Sequence, residues 1–159
     1  MVAFDFWRKW LMVVSVALVA FGVVLALFPR SPLLDYALNS RIDPVFWPDG
    51  NMPESAAQFR AWLYGVLGAT ISGWGIVMAF IVHYPFRAQQ WWAWNAMAAG
   101  ITTWFLIDTA LSAAHHVMFN VLFNTVVFLL IAVPLIATRR HLSMQEAERS
   151  DVQRGRGKE

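Results

Sequence analysis

The chain has 159 residues, of which 58% are hydrophobic and 14% charged, with a formal net charge of +2. Soluble domains carry about a quarter charged residues, so this chain has too few to coat a soluble surface. Positions 10–29, 61–86 and 88–138 hold a single charged side chain between them, Asp108. A nucleic-acid-binding domain, a disordered chain and an ordinary cytosolic enzyme are excluded, which leaves a polytopic protein whose first partner is the lipid bilayer. The absence of cysteine removes disulfides, Cys-ligated zinc, iron–sulfur clusters and thiol nucleophiles.

A bilayer-crossing helix needs about 20 mostly apolar residues. Four stretches qualify, at about 10–28, 59–82, 91–113 and 118–138. The first follows Arg8 and Lys9 and reads as an uncleaved signal anchor, because the apolar run is long and no Ala-x-Ala site follows it. The connection 29–58 is the one sizeable non-spanning stretch. Its prolines (Pro29, Pro32, Pro44, Pro48, Pro53) argue against a long regular element, and Pro32 to Leu38 predicts a short helix at the outer interface. Nothing in the connection has catalytic spacing, so it reads as a tether in preference to a lid. Ser55 to Gln58 has the pattern of a capping box opening the second span.

That second span carries the clearest pattern. Ala61, Gly65, Gly68, Ser72, Gly75 and Ala79 repeat at 4-3-4-3-4 and share one helical face. A similar seam runs through Ala93, Ala96, Gly100, Thr103, Ile107, Ala110 and Ala114 of the third span. Small residues let membrane helices approach closely. With a short turn at Tyr84-Pro85 between the spans, the seams predict a tight antiparallel hairpin. Its closest approach falls at Gly75 and Gly100, with a Ser72–Thr103 hydrogen bond. A homodimer contact is the competing use of either seam. In the fourth span, Pro134 predicts a local kink.

Basic residues cluster before the first span, at Arg87, and at Arg139 and Arg140, whereas the 30–60 connection has three bases against four acids. By the positive-inside rule both termini are cytoplasmic. Trp7, Trp10, Trp91, Trp92 and Trp94 then fall at the inner interface and Trp62 at the outer one, as aromatic belts do. The expected fold is therefore an all-α bundle of four transmembrane helices over residues 1–141. The segment 142–159 is polar, lacks aromatics and is expected to be a disordered cytoplasmic tail.

Asp108 is the one charge within a span, and something must compensate it. Ser112 and His115 lie on its helical face, and Trp104 sits one turn below. Asn120 and Asn124 form a polar stripe at the start of the fourth span, and the second span brings Arg60 and Tyr64 to the same end. The expected candidate ligand site is one outward-facing cluster of Asp108, Arg60, His115, His116, Asn120, Asn124, Trp104 and Tyr64. Each member also has a structural reading: Asp108 as interhelical glue paired with Arg60 or the asparagines, and the two histidines as turn residues. No catalytic motif, cofactor site or metal site is expected. Every histidine falls at a span end, adjacent histidines point about 100° apart, and no second intramembrane acid is present.

The segments Tyr64 to Gly75 and His83 to Arg87, the Trp-rich start of the third span, Asp108-Thr109 and Phe119 to Thr125 resemble those of a group of small four-span bacterial membrane proteins with no assigned activity. The layout is also similar, by architecture alone, to the DoxX-like and EXPERA families. The resemblance implies a four-span bacterial inner-membrane protein and no catalytic residue. A non-enzymatic accessory or scaffolding subunit, or a binder of a small apolar molecule or lipid, is the expected function. The partner would be another membrane protein or a second copy of the chain. The alternative is a membrane enzyme, or a proton-coupled transporter working as a homodimer, that uses Asp108.

Overall fold

The computed structural model describes the backbone of residues 2–156 and the side chains of residues 3–144. It is all-helical, with no strand among the described residues. Four helices are long and apolar enough to cross a bilayer: α1 (Val2–Leu27), α4 (Glu54–Ile81), α5 (Trp91–Ala114) and α6 (Met118–Arg156). Short helices α2 (Pro32–Leu34) and α3 (Ser40–Phe46), joined by a π-helical turn at Asp35–Asn39, fill the connection between α1 and α4. Contrary to expectation the prolines do not break this stretch: helical structure runs without a gap from Pro32 to Phe46, with Pro32 at its first position and Pro44 inside it, where only Pro32 to Leu38 was expected. Ser31 opens it by accepting a bond from the Leu34 amide. At α4 the helix starts at Glu54 behind Pro53, ahead of the expected Ser55 capping box, and no side chain caps it. The helix α6 continues to Arg156, into the segment whose composition predicts disorder.

The tight hairpin of the second and third spans is not what forms. The face of α4 bearing Gly68, Ser72 and Gly75 packs on α1. A Cβ built on Gly68 would lie 2.4 Å from the Gly22 carbonyl oxygen and 2.5 Å from the Ala26 amide nitrogen, so the two backbones are in direct contact. Gly75 faces Val19 and the Ser15 carbonyl, and the Ser72 hydroxyl donates to the Val19 carbonyl at 3.3 Å, leaving Thr103 unused. The partner stripe is Ser15, Val19, Gly22 and Ala26, at 4-3-4 spacing on α1. In a bilayer no hydrophobic drive pulls helices together, so close van der Waals contact between backbones selects the pair.

Bulky side chains stand between α4 and α5. Trp74 and Trp104 lie 6.1 Å apart, and Met78 and Met97 line a small cavity of about 40 Å³ between the two helices. Gly100, the expected partner of Gly75, has no atom within 4 Å of a Cβ position. Instead α5 packs on α6, and α6 also packs on α1. The main core runs through the end of the bundle that carries the termini, with Leu11, Val82, Phe86, Ala93, Ile101, Ile131, Leu135 and Leu142 at 2% exposure or less. A second, smaller core of Leu25, Leu34 and Tyr64 lies under the connection.

Pro134 removes the amide that would have bonded the Leu130 carbonyl. The Trp10 indole N–H takes its place, donating to Leu130 O at 3.0 Å across the α1–α6 interface. One turn on, the Trp94 indole donates to Leu135 O at 2.7 Å and the Thr138 hydroxyl to Pro134 O at 2.8 Å. Side chains from three helices thus satisfy the carbonyls around the proline. In a bilayer that satisfaction has to be internal, because hydrocarbon offers none.

Candidate functional site: an aspartate staple and a tied connection

The expected single constellation divides into two polar clusters. The first joins α5 to α6. Asp108 projects from α5, and its Oδ1 accepts from Asn120 Nδ2 at 2.8 Å, Asn124 Nδ2 at 3.0 Å and Ser112 Oγ at 3.1 Å. The asparagines are one helical turn apart on α6, so both amides reach one carboxyl oxygen. Each amide also uses its second hydrogen: Asn120 donates to Ser112 Oγ at 2.7 Å and Asn124 to Thr109 Oγ1 at 3.4 Å. A flipped amide would set oxygen against oxygen, so the carboxyl dictates both orientations. Asn124 is 1% exposed, and Asp108 is half-buried.

Asp108 also explains the rotation of α5. A carboxyl facing lipid costs about 3 kcal/mol at a helix centre. Turning it toward α6 buries the face of Met97, Ile101, Asp108 and Ser112; of the seam, about 130° away, Ala96 and Gly100 border the cavity shared with α4, while Thr103 and Ala110 are exposed. The need to satisfy one polar side chain outweighs the close packing that the seam offered.

The second cluster ties the connection to α4. Arg60 pairs with Asp43 of α3, not with Asp108. The buried Tyr64 hydroxyl donates to Asn39 Oδ1 at 2.7 Å, and Asn39 Nδ2 donates to Asp35 Oδ1 at 2.6 Å. Arg30 meets Glu54 at 3.7 Å, and the Arg41 guanidinium lies 5.3 Å from the centre of the Phe119 ring at the start of α6. Asp35, Asn39 and Asp43 were not picked out from sequence, although their i, i+4, i+8 spacing was the available signal. The prolines around them masked it.

The remaining candidates belong to neither cluster. His115 and His116 are exposed on the α5–α6 turn, where His116 takes a left-handed conformation at φ 61° and the Val117 amide bonds back to Ser112 O at 2.9 Å. That is how a helix ends, with an αL residue closing the last carbonyls. Trp104 packs on Trp74 and makes no hydrogen bond to Asp108 among the described residues.

The division has a measurable consequence. In double-mutant cycles, Arg60→Ala and Asp43→Ala are expected to couple by about 1 kcal/mol, whereas Arg60→Ala and Asp108→Asn add. Thermal unfolding in detergent reads both cycles, and strict additivity of the first pair would refute the tie. No match to the chain was found among protein families, curated proteins or solved structures.

Proposed function

We propose that this protein is a non-enzymatic accessory or scaffolding subunit of a bacterial inner membrane, with both termini cytoplasmic, that associates with another membrane helix through the outward seam of α5. One observation carries the reading: Thr103, Ile107 and Ala110 continue the seam of α5 along an exposed face, beyond the point where Ala96 and Gly100 border the cavity against α4. Small residues at 3–4 spacing favour helix–helix contact in membranes, and here they are spare. The orientation is supported by the basic residues Arg8, Lys9, Arg87, Arg139 and Arg140 gathered at one end of the spans. The resemblance to small four-span bacterial proteins supports the location. The candidate occupants of the seam are a second copy of the chain and a different membrane protein.

The test separates association from folding. Ala110→Leu is expected to leave the melting temperature of the purified monomer unchanged, since the position is exposed, and to weaken association in membranes about tenfold or more. Cross-linking through single cysteines at Thr103 and Ile107 reads this without interference, because the chain has no native thiol. Cross-links that persist unchanged in Ala110→Leu would remove the seam from the interface. A second reading keeps Asp108 as a working carboxyl in an enzyme or transporter. It is favoured by the convergence of all three side-chain donors on Oδ1, which leaves Oδ2 without a donor among the described residues. Under that reading Asp108→Asn abolishes activity and leaves association through the seam intact.

A further inference from the structure

We infer that the groove between α1 and α6 holds one acyl chain of an anionic phospholipid from the leaflet on the side of the two termini, with the phosphate drawn to Arg140 and Lys9. The groove has a volume of about 370 Å³ and is walled by Trp7 and Trp10 on α1 and by Val126, Leu130, Val133 and Pro134 on α6. Its lining is almost wholly apolar, and it lies outside both polar clusters. The shape follows from the proline. Trp10 is held in place by its bond to the Leu130 carbonyl that Pro134 leaves free, so the indole stands as a fixed wall.

Charge selects the occupant. The end of the bundle with the termini presents Arg8, Lys9, Arg87, Arg139 and Arg140 against one acid among the described side chains, Asp5. Arg8 is engaged by Asp5 at 3.4 Å, and the Arg139 guanidinium lies 5.6 Å from the centre of the Trp94 ring. Lys9 and Arg140 are exposed and have no ion-pair partner among the described residues. Arg140 falls two turns beyond Val133 on the same face of α6, at the mouth of the groove, and Lys9 flanks Phe6 on the α1 side. A basic mouth above an apolar slot between helices is the arrangement that recognises anionic headgroups on the cytoplasmic side. A zwitterionic lipid of equal chain length would fill the slot and gain less at the mouth.

The experiment is native mass spectrometry of the full chain in mild detergent, titrated with phosphatidylglycerol and phosphatidylcholine of identical chains. One phosphatidylglycerol is expected to stay bound in preference to phosphatidylcholine. Lys9→Gln and Arg140→Gln should each lower that preference about five-fold, the factor that about 1 kcal/mol per surface base represents. Val133→Trp, at a position 45% exposed, fills the slot without entering the core and should remove the retained lipid of either kind. Equal retention of the two lipids, a preference unchanged in both glutamine variants, or undiminished lipid in Val133→Trp would overturn the inference. None of these readouts depends on association through α5, so the two ideas fail separately.

Discussion

Replacing Gly68 with alanine is expected to break the α1–α4 pair and lower stability by roughly 3 kcal/mol. The added methyl would sit 2.4 Å from the Gly22 carbonyl oxygen and 2.9 Å from the Ala26 methyl group. Two of the three nearest atoms are backbone, so no rotamer change relieves the overlap and the helices must separate along their whole seam. That separation also pulls Ser72 away from the Val19 carbonyl and opens the packing of Gly75 on Val19. Gly65→Ala and Gly73→Ala serve as controls on the same helix. Nothing lies within 4 Å of a Cβ at either position, and alanine has the better helix propensity by about 1 kcal/mol. Thermal unfolding in detergent, followed by circular dichroism, decides the matter. A Gly68→Ala protein that melts with the wild type would mean that the backbones do not touch there.

Asp108→Leu should lower stability by about 2–3 kcal/mol, even though it removes the one charged residue from positions 61–86 and 88–138. Leucine suits lipid better than aspartate does, and hydropathy alone predicts a gain. The loss arises because Asn120 and Asn124 keep their donors and lose the oxygen on which both converge. Asn124 is 1% exposed and can find no water, and an unsatisfied buried donor costs about 1–3 kcal/mol. Changing the two asparagines to leucine as well should recover most of the loss, since replacing both sides of a buried polar contact is far milder than stranding one. Unfolding of the single and triple variants in mixed micelles gives the comparison. An Asp108→Leu variant as stable as the wild type would show that the carboxyl does not staple α5 to α6.

The four spans were legible from hydropathy and length because a bilayer imposes one strong requirement on each helix separately. Their observed limits at the α5 start, the α5 end and the α6 start fall within one residue of the expected ones. The seam on α4 was legible too, since six small residues at a regular spacing describe a face whatever covers it. Its partner was not. Chain adjacency and depth matching pointed to α5, whereas the matching stripe on α1, with Val19 among Ser15, Gly22 and Ala26, is less uniform and does not stand out as a seam. The polar residues behaved likewise. The asparagine pair one turn apart announced a partner for Asp108, and that half of the cluster formed. Arg60 and Tyr64 had a nearer choice in Asp43 and Asn39, on a connection whose prolines concealed its helical spacing.

What a helix must do on its own, span the bilayer and present a small or polar face, is therefore written in local composition and period. Which face meets which helix was decided in three dimensions, by competition between neighbours. Turning Asp108 toward Asn120 and Asn124 sets the rotation of α5 so that Gly100 meets α4 only across a small cavity, and α1 supplies the close backbone contact that Gly68 and Gly75 require. The outcome depends on how several helices satisfy one carboxyl and one glycine face together, and no single segment carries that information.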